Sequence, residues 1–187
     1  MTGSRLSRGL RVGVLAAVAA LSSGAGGKPT RAVQKRPNAP GQGLTRLDAA
    51  SLRQAMRKAQ GGDLFVHLWA SWCGPCMEEL PDIDGLARQA RARGATFLSV
   101  SLDEPQREAH VLDVLRRRAP NLTRFAAKLE DGEKFAQLFA GEWDGSIPAL
   151  FVYDRAGQLR ASFVGELENA DIRRMLADIS SQASPKK

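Results

Sequence analysis

The sequence predicts an α/β domain with a central mixed sheet flanked by helices, and three observations carry that prediction. Leu64 to Ala70 is an apolar, β-capable run of strand length. From there to Arg118, strand and helix patterns alternate, the rhythm that implies parallel pairing. Near the end, Ala149–Tyr153 and Leu159–Val164 flank the turn residues Asp154-Arg155-Ala156-Gly157, the signature of a hairpin.

Each element follows from local chemistry. The domain begins near Leu44, where Asp48 can cap a helix that sets Leu52, Met56 and Ala59 on one face, and Gly61-Gly62 stops it. Leu64–Ala70 reads as the buried central strand. A helical pattern then runs from Cys73 to about Arg93, and Gly94 ends it. Pro81 is expected to kink this helix, because proline lacks the amide donor and crowds the preceding turn. Thr96–Leu102 alternates as a second strand and fades into Asp103-Glu104-Pro105, after which Glu108–Arg118 is an amphipathic helix. A short strand within Leu122–Leu129 and a short helix over Lys134–Ala140 form a strand-helix insertion before the final hairpin. A last helix, capped by Asn169, spaces Ile172, Leu176 and Ile179 for burial.

The chain has 187 residues, 43% hydrophobic and 25% charged, the composition of one soluble globular domain with tails. Residues 1–25 read as a secretory signal: Arg5, Arg8 and Arg11 precede the apolar run Val12–Leu21, and Ser23-Gly24-Ala25 supplies a small-x-small cleavage site. That run is about half the roughly 20 residues a spanning helix needs, so cleavage is expected, with an uncleaved membrane tether as the alternative. Residues 26–43, rich in Pro, Gly and basic residues, read as a flexible linker, 44–182 as the folded domain, and 183–187 as a disordered tail. The net charge of +7 belongs to these ends. Removing the nine basic residues Arg5, Arg8, Arg11, Lys28, Arg31, Lys35, Arg36, Lys186 and Lys187 leaves −2, so no domain-wide basic patch points to nucleic acid. Weak contact of the linker with an anionic membrane surface is the most its charge implies.

The only two cysteines, Cys73 and Cys76, sit in one motif. A pair so close in sequence closes no long loop and adds little as a staple, so a redox role is the better reading in an exported chain. Cys73 at a helix start faces unpaired amides and the positive end of the helix dipole, which stabilise its thiolate. Cys76 lies one turn further in, placed to resolve a mixed disulfide on a Cys73 that stays exposed enough to attack. Pro75 suits the first turn, where its missing amide is of no consequence.

Trp72-Cys73-Gly74-Pro75-Cys76, directly after Phe65-Val66-His67-Leu68-Trp69-Ala70-Ser71 and with a later Gly145-Ser146-Ile147-Pro148, resembles the active site of thioredoxins. The resemblance covers about Leu47 to Ile179, and the continuation Met77-Glu78-Glu79-Leu80-Pro81 is most similar to the exported TlpA/ResA branch. It implies a thioredoxin fold, a disulfide-reducing activity without a cofactor, and protein disulfides as substrates. Apocytochrome cysteine pairs during cytochrome c maturation, a copper-site thiol pair or misoxidised proteins are the implied clients, with a membrane-embedded thiol protein as electron donor. It further implies that Pro148 is cis and that the Ile147 backbone pairs with an extended client. Trp72, Gly74, Pro75 and Gly165 would line the same groove, Gly165 alternatively serving as a plain turn residue.

The resemblance also links Glu79, one turn past Cys76, to proton handling, against the alternative of an acidic residue favoured near a helix start. His67 departs from the family: it stands where cytosolic thioredoxins carry a buried aspartate. It either exchanges a proton with Cys76 or is a hydrogen-bonded core histidine. Trp69 and Trp143 read as packing residues, Trp143 alternatively lining the same groove ahead of the proline loop, and His110 reads as solvated. Other function classes stay open: a copper or zinc carrier using Cys73, Cys76 and His67, an oxidase or isomerase of the same fold, or a non-catalytic interaction module.

Overall fold

The computed structural model describes residues 43–130, 132–167, 170–171 and 174–175, all within one compact unit, Arg36–Lys187. Strand β1 (Thr45–Leu47) leads into helix α1 (Ala49–Lys58), whose cap is Asp48: its carboxylate accepts the Ser51 N–H at 2.7 Å. Strand β2 (Leu64–Trp69) is followed by helix α2 (Gly74–Ala92), strand β3 (Thr96–Ser101), a 3₁₀ turn at Pro105–Arg107 and helix α3 (Glu108–Arg118). Next come strand β4 (Phe125–Ala127), helix α4 (Gly132–Ala136) with a 3₁₀ turn at Gln137–Phe139, and the hairpin β5 (Ala149–Tyr153) and β6 (Leu159–Val164).

These strands make one mixed sheet in the order β1-β4-β3-β2-β5-β6. The four strands β1, β4, β3 and β2 run parallel, while β5 joins β2 antiparallel and β6 closes the hairpin. With β3 on one side and β5 on the other, all six residues of β2 are buried, which explains its nearly unbroken apolar run. The exception, His67, must therefore find polar partners inside the core.

The sheet carries an aromatic core. Phe65 stacks on Phe97 at 5.6 Å, and Phe139 on Phe151 at 4.3 Å. Trp143 meets Phe135 and Phe139 edge-on. Replacing one such ring with alanine costs about 3–5 kcal/mol. The hairpin turn is built by Asp154, whose carboxylate accepts the N–H groups of Ala156 and Gln158, while Gly157 supplies φ 77°.

Three points refine the sequence reading. Strand β1 is not anticipated, because three residues with Arg46 in the middle show no pattern. The strand expected within Leu122–Leu129 is three residues long and lies inside the sheet, between β1 and β3. Helix α2 continues through Pro81, whose missing amide interrupts one hydrogen bond without ending the helix. Ala170, Asp171, Arg174 and Met175 are helical, but the expected cap Asn169 and the apolar positions Ile172, Leu176 and Ile179 lie outside the described residues, as do 1–42 and 176–187.

Candidate active site

The cysteines lie just past the C-terminal end of β2, where the chain turns into α2. The Cys73 N–H donates to the Ala70 carbonyl at 3.2 Å, which closes the turn, and Cys73 itself is the extended N-cap residue of the helix (φ −88°, ψ 112°). Its Sγ takes the place that a serine or aspartate oxygen has in an ordinary cap, accepting the Cys76 N–H at 3.2 Å. That donor and the positive helix end favour negative charge on the sulfur. Cys73 and Cys76 are joined in a disulfide, with Cα atoms 5.3 Å apart.

Accessibility differs between the two in the expected order. Cys73 is 7% exposed and Cys76 fully buried, so the outer sulfur reaches solvent through a narrow window. The cause is packing: Cys73 Sγ lies 3.7 Å from the Ile147 carbonyl oxygen, so the proline loop covers most of it. Around the window, Trp72 (58% exposed), Gly74 and Pro75 face solvent.

The Ile147–Pro148 bond is cis. The Gly165 N–H donates to the Pro148 carbonyl at 2.8 Å, so Gly165 is part of the same rim, and its φ of 101° is one that only glycine adopts without strain. The loop before Pro148 is held from below, since the Trp143 indole N–H donates to the Ser146 carbonyl at 2.7 Å. The Ser146 N–H in turn holds the Asp144 carboxyl below the usual carboxylate range. Trp143 is therefore a buried packing residue with one polar duty, not a groove-lining one.

Behind Cys76, the structure joins two residues that the sequence treats separately. His67 is fully buried, and its Nε2 lies 3.2 Å from Glu79 Oε1, while its Nδ1 lies 3.2 Å from the Ser99 hydroxyl of β3. The second Glu79 oxygen accepts the Leu167 N–H at 3.1 Å. Glu79 is 5% exposed, which removes its reading as a surface acid. With both His67 nitrogens engaged, the three-donor copper or zinc site of Cys73, Cys76 and His67 has lost one of its ligands, and no cluster among the described residues has the donors for a metal ion.

One residue escapes the sequence reading altogether. Asp103, 1% exposed, accepts the Ser71 N–H (2.8 Å), the Ser71 hydroxyl (2.6 Å) and the Ser101 hydroxyl (2.7 Å), and pairs with half-exposed Arg107 at 3.2 Å. It anchors the turn that leads to Trp72 and Cys73. The one available signal was its place immediately after a parallel strand, where functional groups of α/β sheets collect.

A cysteine pair at a helix N-cap, beside a cis-proline loop and on this sheet, defines a thiol-disulfide oxidoreductase of the thioredoxin fold. The Redoxin family model matches residues 36–179, and the chain belongs to that family, as a ResA/TlpA-like member of the thioredoxin superfamily. It is 22% identical over 144 residues to the thiol-disulfide oxidoreductase ResA of Bacillus thuringiensis (strain Al Hakam), an alignment covering 76% of each chain. Among solved structures it is similar to a thiol:disulfide interchange protein of the thioredoxin family from Chlorobium tepidum TLS, with TM-score 0.54 and 25% identity, covering 66% of this chain and 83% of that one. The exposed lipoprotein thioredoxin of Streptococcus pneumoniae shares the fold at TM-score 0.50 and 23% identity, with 66% and 89% covered.

Proposed function

We propose that the chain is an exported reductant of protein disulfides. Cys73 attacks a client disulfide, and Cys76 resolves the mixed disulfide, leaving the client reduced and the pair oxidised. The observation that carries this reading is the asymmetry of the pair: Cys73 at the helix N-cap keeps a window to solvent and receives the Cys76 N–H, whereas Cys76 has no exposure. A client strand would lie along the Ile147–Pro148 backbone, between Trp72 and Gly165.

Residues 1–25 act in this reading as the export signal, 26–43 as the linker, 44–182 as the catalytic domain and 183–187 as a tail, which places the domain in the periplasm or another exported compartment. No helix among the described residues is long and apolar enough to cross a membrane. By the resemblance to the TlpA/ResA branch, electrons come from a membrane-embedded thiol donor. By the same resemblance, the clients are apocytochrome cysteine pairs, a copper-site thiol pair or misoxidised proteins.

The test is trapping. In Cys76→Ala the mixed disulfide has no resolving thiol, so client proteins accumulate on Cys73 and are released by dithiothreitol, and Cys73→Ser traps none. A measured potential far above the thioredoxin value of about −270 mV would reverse the direction and make the protein an oxidase.

A further inference from the structure

The carboxylate one turn beyond the buried thiol is bonded to a histidine, and that histidine's other partner is a hydroxyl. Cys76 and Glu79 share helix α2 three residues apart, and neither is open to water: Cys76 is fully buried and Glu79 5% exposed. A proton leaving Cys76 therefore needs an acceptor inside the protein. Glu79 is the buried carboxylate of that helix, one turn past Cys76, and its Oε1 faces His67 Nε2. The two other buried carboxylates among the described residues lie elsewhere. Asp63 precedes β2, and Asp103 is committed to Ser71, Ser101 and Arg107. From β3 the imidazole meets Ser99, in turn bonded through its backbone to the Thr123 hydroxyl, and β5 sets apolar Leu150 opposite it. The loop after β6 contributes a backbone amide, that of Leu167.

We infer that His67 acts through Glu79 as the store for the Cys76 proton. The reading rests on Cys76 being the resolving thiol. With the pair at charge −1, the Ser99 O–H donates to Nδ1 and Nε2–H donates to Glu79. When one proton is added, the hydroxyl reverses to accept from Nδ1–H, and a single proton lies between Nε2 and Oε1. A hydroxyl both donates and accepts, so no hydrogen bond is lost in either state. The Leu167 N–H keeps the carboxylate in place throughout. In the resolving step, the Cys76 thiol gives its proton to Glu79 as its sulfur attacks Cys73. The Cys73–Cys76 bond forms, the Cys73–client bond breaks, and the client leaves as a thiolate with the two electrons the cysteine pair has lost.

The reduced protein mixed with the aromatic disulfide dithiobis-nitrobenzoate separates the two steps: attack by Cys73 releases the first coloured thiolate, and resolution by Cys76 the second. His67→Gln keeps an amide donor for Glu79 but cannot take a proton. The ratio of second to first rate is expected to fall at least about tenfold near pH 7 and to recover toward pH 9, the size and direction of a lost general base. Glu79→Gln should do the same, and the double variant should be no slower than Glu79→Gln alone. An unchanged ratio in His67→Gln, or deficits that multiply in the double variant, would overturn the inference. Should His67→Gln not fold, ring ¹⁵N shifts of His67 in the wild-type protein decide, since the chain's other histidine is exposed His110. They must move between the oxidised and reduced forms, and nitrogens blind to the redox state refute the proton store. Failure of the parent reading looks different: the wild-type protein would show no second phase at all.

Discussion

Two buried carboxylates flank the cysteines, and their partners give them opposite characters. Asp103, behind the turn that precedes Cys73, is surrounded by donors. The Ser71 N–H points at one oxygen and the Arg107 guanidinium at the other, and neither donor can be turned into an acceptor. Glu79, one turn beyond Cys76, faces an imidazole and, through it, a hydroxyl, both of which reverse their roles. The two are similarly enclosed, at 1% and 5% exposure, so depth alone does not set what a buried acid does. Fixed donors make a brace, and reversible partners make a place where a proton can move.

Isosteric amides put this contrast to the test. In Asp103→Asn the new NH₂ group must meet one of the two irreversible donors, so a destabilisation of about 3 kcal/mol is expected, the range for hydrogen bonds to a charged group left unmade. Urea unfolding measures it, and the pH profile of Cys73 alkylation should be scaled without changing shape. In Glu79→Gln the amide oxygen still accepts from Leu167, while the NH₂ donates to His67 once the ring changes tautomer. Stability should then fall by less than about 1 kcal/mol, in contrast to its effect on the resolving step. Equal stability losses in the two variants would abolish the distinction.

A third buried polar group has no partner. The Tyr153 hydroxyl, at the far end of β5 from the proline loop, makes no hydrogen bond, and burial pushes its pKa up to about 12. Tyr153→Phe is therefore expected to stabilise the fold by about 1 kcal/mol, since an unsatisfied hydroxyl is removed. Because the folded pKa lies above the unfolded value of about 10, the stability of the wild-type protein is unaffected by this group's ionisation below pH 10 and falls as the pH rises toward 12. Tyr153 is the chain's single tyrosine, so absorbance near 295 nm follows its titration directly. A midpoint near 10 in the native protein would mean that the ring is solvated.

The smallest effect belongs to the surface. The Asp48, Asp144 and Asp154 carboxyls are each held below the usual carboxylate range, first of all by backbone N–H groups of Ser51, Ser146 and Gln158 respectively. Their stabilising share is present above the ordinary aspartate pKa of about 4 and fades as the pH falls below it. Asp48→Asn, which keeps a capping oxygen, should flatten a small part of that acid slope in thermal melts between pH 2 and about 5.

What the sequence disclosed follows the range of the forces involved. Helix α3 and the hairpin strands have the bounds read from the residues, because their patterns stop at residues that punctuate the backbone. The cysteine motif was legible because its chemistry is local: a cap, a helix end and a thiol within four residues. Strands β1 and β4 were hard to see since three residues set no period, and their pairing with each other is a tertiary fact. His67 and Glu79 were each marked as candidates, but a bond between a strand and a helix twelve positions apart leaves no trace in the order of residues. Asp103 carries no such mark, because an aspartate after a strand looks like the start of a loop, and only the folded chain sets it beneath Ser71, 32 positions away.

The aromatic stack under the proline loop has one more consequence. Because Trp143, Phe135, Phe139 and Phe151 hold that wall from inside, the large side chain proposed to meet a partner, Trp72, contributes little to the fold: it is 58% exposed. Substitution at the rim can thus change which clients are held without disturbing the frame that aims the sulfur.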